Sequence, residues 1–355
     1  MNIKPLIIGD LVAKIPVVQG GMGIGVSLSG LAGAVAKAGG IGIISGAQPG
    51  YREDDFESDP LGANLRSLKK HIKIAKEKSN NGIIGVNLMV AMNNYAEHIK
   101  ASIEAGADLI ISGAGMPTAL PDLVKDCSIK IAPIVSSLKA CKVILKLWDR
   151  RYSRTADMVV IEGPKAGGHL GFHKETLEAE QEHFDSTIGD ILNEVSIYEE
   201  KYNKSIPVIV AGGVFDGHDI AKYLSLGASG VQMATRFVAT EECDASLEFK
   251  MEYVNCKKEN ISIVKSPVGM PGRALNNKFI QSLEVSRPKI RRCYNCLIPC
   301  NPKDTPYCIS DALMNAANGD TDNGLVFCGE NAYKVDKIST VPEIINSLIS
   351  EIKES

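Results

Sequence analysis

The stretch Pro207-Val208-Ile209-Val210-Ala211-Gly212-Gly213-Val214, followed by the helical pattern Asp219 to Leu226 and then by Gly227-Ala228-Ser229-Gly230-Val231-Gln232-Met233, decides the fold. Its opening run is apolar on both faces, as a strand buried between two layers is, and it stops at a glycine pair. The helix-length pattern ends at Gly227-Ala228 and turns straight into a second two-faced apolar run. Strand, helix and strand in that order make a right-handed crossover between parallel neighbours.

The same unit recurs outward from here. Apolar runs, most of them rich in β-branched residues, lie at Pro16 to Val18, Ile41 to Ile44, Ile83 to Leu88, Leu109 to Ile111, Lys130 to Val135, Met158 to Ile161, Pro207 to Val210 and Gly230 to Met233. Each leads into a turn and a helical pattern. Leu28 to Lys37 stops at Gly39-Gly40, Tyr95 to Ala105 at Gly106-Ala107, and Ser186 to Lys201 is long and charged, as an outer-ring helix should be. Eight runs of this kind predict an α/β protein whose strands close into a (β/α)8 TIM barrel rather than an open doubly wound sheet.

After Met233 the rhythm changes. Ala245 to Tyr253 reads as a helix, Ser266 to Asn277 as a loop rich in Gly, Pro and Arg, and a cysteine-rich segment follows. The expected organisation is a barrel over residues 1–240, a small C-terminal lid lobe carrying a cysteine cluster over 241–335, and a closing helix packed on the barrel over 336–355, amphipathic from Pro342 to Ile352. Composition agrees with one barrel and one smaller lobe: 355 residues, 45% apolar, with 33 glycines for many tight turns. A net charge of −3 and a pI near 6.1 provide no basic field for nucleic acid or a membrane surface. No apolar run reaches the length of a membrane span, and Met1 to Asp10 lacks a basic segment leading into an apolar core. The expectation is a cytoplasmic protein that meets small molecules, without nucleic-acid or membrane partners, with a homodimer left open.

In such a barrel the chemistry sits where the strands end, so the residues after each run are the candidates. They are Gln19-Gly20-Gly21-Met22 after the first, Asn87 in the third, Ser112-Gly113-Ala114-Gly115 after the fourth and Glu162 to Gly171 after the sixth. The seventh is followed by Ala211-Gly212-Gly213 and the eighth ends Gln232-Met233-Ala234-Thr235-Arg236-Phe237. Glycines and neutral amides dominate and one histidine, His169, stands among them. This pattern suits a broad, flat, hydrogen-bonding ligand better than a metal cage. The glycine pair after strand seven and Thr235 after strand eight can aim N–H groups and a hydroxyl at a phosphate. His169 carries a pKa that its surroundings can tune for proton transfer. His173, four residues on, reads as a solvated loop residue, and Trp148, in the basic stretch Ser136 to Thr155, as the anchoring ring of a solvated helix.

Taken together, Pro16 to Met22, Gly85-Val86-Asn87, Glu162 to Gly171, Ala211-Gly212-Gly213 and Gln232 to Phe237 resemble the nitronate monooxygenase family, whose superfamily also holds FMN-dependent enoyl-acyl-carrier-protein reductases. The resemblance runs from about residue 15 to about residue 280 and implies a TIM barrel binding FMN without a covalent bond. It implies Gln19, Gly20, Gly21, Met22 and Asn87 around the isoalloxazine ring and Gly167 and Gly168 near the ribityl chain. Ala211, Gly212, Gly213, Gln232, Met233, Ala234 and Thr235 would lie toward the phosphate. His169 matches the proton-abstracting base of the monooxygenases and a protonating or orienting group of the reductases.

Cys293, Cys296, Cys300 and Cys308 form a departure from that family pattern. Their spacing of two, three and seven intervening residues suits soft-metal ligation, either a 4Fe–4S cluster or tetrahedral Zn, with Cys328 as a substitute fourth ligand. A reduced, metal-free loop, or one with a single disulfide, is the other reading. Three functions follow. The first is oxidation of alkyl nitronates with O2, with His169 as general base. The second is NAD(P)H-dependent enoyl-thioester reduction, where an iron–sulfur centre would fit. The third is a non-catalytic flavin or phosphate-ligand module.

Overall fold

The computed structural model describes residues 1 and 3–355. Among them the parallel strands are β1 (Val17–Gln19), β2 (Gly42–Ser45), β3 (Ile84–Met89), β4 (Leu109–Gly113), β5 (Lys130–Val135), β6 (Val159–Glu162), β7 (Val208–Ala211) and β8 (Gly230–Met233). They pair in the order β1-β8-β7-β6-β5-β4-β3-β2. A parallel bridge between Val18 and Ile41 joins the two ends and closes the barrel. Its bonds are Gln19 N–H to Ile41 O at 2.9 Å and Ile41 N–H to Val17 O at 3.0 Å.

Period-two alternation sorts the strand residues into two cores. Val18, Ile43, Ile111, Val160 and Ile209 fill the barrel interior, and Val17, Ile44, Val86, Ile110, Ile161 and Val210 face the helical ring. An antiparallel hairpin, Leu6–Ile8 with Leu11–Ala13, adds Leu6, Ile8 and Ala13 to the interior cluster. That hairpin is absent from the reading of the sequence, because Leu6 to Ala13 is too short and uniform to show a periodicity of its own.

The ring comprises α1 (Ser29–Lys37), α2 (Pro60–Lys78), α3 (Tyr95–Glu104), the single turn α4 (Leu120–Leu123), α5 (Leu138–Tyr152), α6 (Phe184–Tyr202) and α7 (Gly217–Ser225). The repeated glycine corners work by one device. In α1, α3 and α7 the glycines 39, 106 and 227 take φ of +97°, +83° and +100°. The following N–H groups, of Gly40, Ala107 and Ala228, bond back to Val35 O, Ser102 O and Tyr223 O at 3.0–3.1 Å. After β8 comes one turn of helix, α8 (Thr235–Val238), and the chain then leaves the barrel. It returns as the helix Val341–Glu354, whose Val341, Ile344, Ile345, Leu348 and Ile352 join the core between α7 and α1, the eighth place in the ring. Gly217 permits the approach, since a Cβ there would stand 2.6 Å from Leu348 O.

Between these points lie the helices Leu247–Val254, Lys278–Val285 and Ile309–Ala317 and a three-stranded sheet. That sheet corrects the expected loop at Ser266 to Asn277: Pro271–Leu275 is a strand, paired with Ile261–Lys265 on one side and with Gly168–His169 on the other. Its sequence lacks β-branched residues, and tertiary pairing overrides that weak propensity. Trp148 is fully buried in α5 and donates Nε1–H to Pro117 O at 3.0 Å, so the anchoring ring is real. Among the described residues no helix is long and apolar enough to cross a membrane.

Candidate active site

The exits of the barrel strands surround a cavity of about 450 Å³, inside the range of small-molecule and cofactor sites, roughly 300–1,000 Å³. Gly20, Gly21, Met22, Asn87, Gly167, Gly168, His169, Ala211, Gly212, Gly213, Gln232, Met233, Ala234 and Thr235 all line it. Gln19 does not. It is fully buried at the seam of the barrel, its Oε1 accepting from Ile43 N–H at 3.1 Å and its Nε2 donating to Gly20 O. Gln19 therefore shapes the backbone at β1 and β2 and is corrected from a cavity residue to a seam residue.

The cavity floor is backbone brought close. A Cβ at Gly21 would collide with Asn87. Gly212 and Gly213 hold φ of +90° and +88°, and a Cβ on them would stand 2.7 Å from Gly163 O and 2.9 Å from Lys165 Cβ. Among the described residues the N–H groups of Gly212, Gly213, Thr235 and Arg236 donate to no protein acceptor. Unsatisfied donors grouped at two strand exits, beside the open first turn of α8, are a donor set for phosphate oxygens. The glycine-floored space and this donor set fit FMN, with the phosphate end toward β7 and β8.

His169 sits on the side of this cavity. Its Nε2 shares a 2.7 Å hydrogen bond with Ser266 Oγ, which also accepts from Val268 N–H at 3.3 Å. The ring packs edge-on against Phe327, centroids 5.0 Å apart. Removal from water pushes its pKa down to about 4, so the imidazole is neutral at neutral pH. Glu162, at the end of β6, lines the same cavity, and burial pushes its carboxyl up to about 7, partly offset by the Gly171 backbone. Two titratable groups with opposite tuning thus share one cavity.

Ser266 and Glu162 carry no role in the reading of the sequence. Nor, apart from Cys328 as a substitute metal ligand, does Phe327-Cys328-Gly329-Glu330-Asn331, which lines the far wall. Asn331 Nδ2 donates to Gly213 O at 2.6 Å and Glu330 N–H to Lys165 O at 3.2 Å. Buried Arg273 donates to Pro164 O at 2.8 Å and Ala166 O at 2.5 Å and meets Glu330 at 3.4 Å. The only sequence signal for this wall is a Gly-Glu-Asn turn far from any strand exit. His173 is exposed, as expected.

The cysteine segment is placed differently. Cys293 is exposed and Cys296, Cys300 and Cys308 are half-buried. Cys296 and Cys300 pack onto the apolar cluster of Phe279, Leu297, Tyr307 and Ile309. Burial raises the Cys296 thiol, and neighbouring Cys300 and Cys293 raise it further. Among the described residues no three His, Cys, Asp or Glu side chains are grouped to hold a metal ion. Cys328 is not a substitute ligand here: it is buried in a separate cluster with Tyr253 and Cys256.

Comparisons with known proteins agree with this geometry. The sequence model described as nitronate monooxygenase matches residues 4–351. A dehydrogenase of Rhodococcus jostii, named for (3aS,4S,5R,7aS)-5-hydroxy-7a-methyl-1-oxo-octahydro-1H-indene-4-carboxyl-CoA, is 29% identical over 76% of this chain. The chain spans 65% of that relative's length, just under two thirds. A probable nitronate monooxygenase of Staphylococcus saprophyticus is 26% identical over 80% of this chain and 81% of its own. Among solved structures, FabK from Thermotoga maritima superposes with a TM-score of 0.72 at 27% identity, covering 96% of this chain and 93% of that one.

Proposed function

Because this chain belongs to the nitronate monooxygenase family, we propose that it is an FMN-dependent oxidoreductase that oxidises alkyl nitronates with O2, and that on the parent nitroalkanes His169 acts as general base, taking the proton from the acidic carbon to give the nitronate. The observation that supports this reading is a neutral imidazole, tied to Ser266, at the side of a glycine-floored cavity with unpaired N–H groups at its far end. FMN, when bound, supplies the electron acceptance that no side chain here offers.

The residues of the chain do the rest. Gly212, Gly213, Thr235 and Arg236 offer N–H groups to the phosphate, while Gly20, Gly21, Met22 and Asn87 bound the ring end and Gly167 and Gly168 the middle. Ala211, Gln232, Met233 and Ala234 complete the wall. Phe327 to Asn331 keep water out from above. In the tautomer whose Nε2–H is donated to Ser266 Oγ, Nδ1 carries the lone pair and takes the proton from carbon; among the described residues Nδ1 has no protein partner. The depressed pKa keeps that lone pair free throughout the neutral range. Oxygen uptake by FMN-loaded protein on adding propane-2-nitronate, without NAD(P)H, is the expected result. Rapid anaerobic bleaching of the flavin by NADH with no oxygen uptake on nitronate would sink this reading.

One observation favours a second reading, NAD(P)H-dependent reduction of an enoyl thioester: the cavity does not end at His169 but meets another there. The cysteine segment is a separate proposal, a 4Fe–4S or Zn centre at Cys293, Cys296, Cys300 and Cys308, supported by the spacing of the four cysteines along the chain. Iron and zinc analysis of anaerobically purified protein decides it, and absence of both retires it. We place the protein in the cytoplasm on its nine free cysteines. The division at residues 240 and 335 and a homodimer are likewise proposals, open to limited proteolysis and sedimentation.

A further inference from the structure

Lys165 stands in the turn after β6 and is the one cation among the described residues that line the strand-exit cavity; the carboxyls on that wall are those of Glu162 and Glu330. Its aliphatic stem runs along Gly213, where a Cβ would stand 2.9 Å from Lys165 Cβ and 3.0 Å from its Cδ. Gly213 carries one of the four N–H groups without a protein acceptor, so the lysine lies beside the phosphate donor set. The segment Gly329 to Asn331 ties this corner together. Glu330 N–H donates to Lys165 O, Asn331 Nδ2 donates to Gly213 O, and a Cβ on Gly329 would stand 2.7 Å from Thr235 Oγ1.

The charges in this corner leave Lys165 without a close partner. Glu330 Oε2 lies 3.4 Å from Arg273 Nη2, and Arg273 is buried, so Glu330 balances a charge that is held away from water. Lys165 Nζ is 3.8 Å from Glu330 Oε1, beyond hydrogen-bond length, and makes no other ion pair among the described residues. A contact of that length between partly exposed groups holds a side chain weakly. Arg236, the other cation beside β8, is turned away: it donates to Phe215 O at 3.4 Å and faces Glu351 at 4.0 Å. A phosphate monoester carries a charge of about −1.5 to −2 at neutral pH. Enclosing it beside Glu330 with N–H groups alone is costly, and Lys165 is the cation placed to offset that charge.

We propose that Lys165 is the counter-ion of the FMN phosphate. Its ammonium leaves the long contact with Glu330 and donates to the phosphate oxygens that the N–H groups of Gly212, Gly213, Thr235 and Arg236 also hold, while Glu330 stays with Arg273. An ammonium on a flexible stem packed along Gly213 makes that move by rotation of side-chain bonds alone. The inference rests on the FMN reading above and concerns the phosphate only. Riboflavin, which has the same ring and ribityl chain without the phosphate, gains nothing from Lys165.

The test is titration of the full chain, freed of flavin, with FMN and with riboflavin, followed by flavin fluorescence. Lys165→Met keeps most of the stem and removes the charge. It should weaken FMN by about tenfold to a hundredfold, the worth of a charged hydrogen bond, and leave riboflavin unchanged. Lys165→Arg, which retains the charge, should recover most of that loss. Raising the salt concentration should weaken FMN binding more in wild type than in Lys165→Met. Lys165→Gln gives the same comparison if Lys165→Met does not fold. Equal losses for FMN and riboflavin would show that the stem only supports the turn, and no loss for either would show a surface contact with Glu330 and nothing more. Both outcomes overturn the inference, as does Lys165→Arg binding FMN no better than Lys165→Met. Wild type that binds FMN with no dependence on Lys165 removes this inference and keeps the FMN reading. Wild type that binds neither flavin removes both.

Discussion

Two side chains that line the cavity, His169 and Glu162, and one bonded to it, Ser266, have their chemistry set by what surrounds them. Ser266 holds His169 Nε2 and is itself fixed by Val268 N–H. It touches no reacting atom, so it is a positioning residue. Ser266→Ala should lower kcat by about tenfold to a hundredfold, as loss of an orienting partner does, with KM and FMN affinity little changed. An equal loss in FMN affinity would show that Ser266 only supports the fold. Glu162 lends itself to a signed pH test. Burial lifts its folded pKa to about 7, above the ordinary 4.5 of a glutamate. The folded state therefore retains a proton that the unfolded chain has lost, and stability from this group is full below about pH 4.5 and is lost as pH rises through 7. Glu162→Gln removes that dependence. The variant should match wild type at pH 5 and exceed it at pH 8 by on the order of 3 kcal/mol, read from denaturant unfolding at the two pH values.

At the scale of elements, the turn after β6 is held from outside the barrel. Arg273 reaches from the strand Pro271–Leu275 to two carbonyls of that turn, and Gly168–His169 pairs with the same strand. Arg273→Ala would leave Pro164 O and Ala166 O without their donor, at a cost on the order of 3 kcal/mol. FMN affinity should fall about tenfold or more, measured by titration of the flavin-free protein. Unchanged affinity would mean that the turn holds its shape alone. This clamp also marks where the sequence stops being readable. The eight strands were legible because each is a two-faced apolar run bounded by a turn, and the Lys130–Val135 and Gly230–Met233 boundaries coincide with the observed strands. The strand-exit glycines were legible because barrel chemistry has a fixed address. Arg273, Ser266 and Phe327 to Asn331 were not, because they reach the cavity from a lobe with no repeating pattern, across separations of about 100 residues. Gln19 shows the converse: the side chain of a polar residue at a strand exit bonds across the barrel seam and does not line the cavity.

For the whole molecule, the order of elements matters more than any contact. The chain leaves the barrel after Val238, builds the wall over the cavity, and only then supplies the last helix of the ring. Removing residues 341–355 exposes the groove that Val341, Ile344, Ile345, Leu348 and Ile352 fill. Each buried aliphatic side chain is worth about 1.5–3 kcal/mol, so the loss rivals the total stability of a domain, about 5–15 kcal/mol. A chain ending at Thr340 should show no cooperative thermal transition, and a transition like that of the full chain would contradict the placement of this helix.

We propose that His169 takes a proton from carbon beside a flavin held at the strand exits. A nitroalkane must lose that proton in the enzyme, while its preformed nitronate has already lost it. Oxygen uptake by FMN-loaded wild type and His169→Asn should therefore be compared on 2-nitropropane and propane-2-nitronate. The expected result is a fall of about a hundredfold or more on the nitroalkane with uptake on the nitronate largely retained. Equal effects on the two substrates, or none on either, would contradict it.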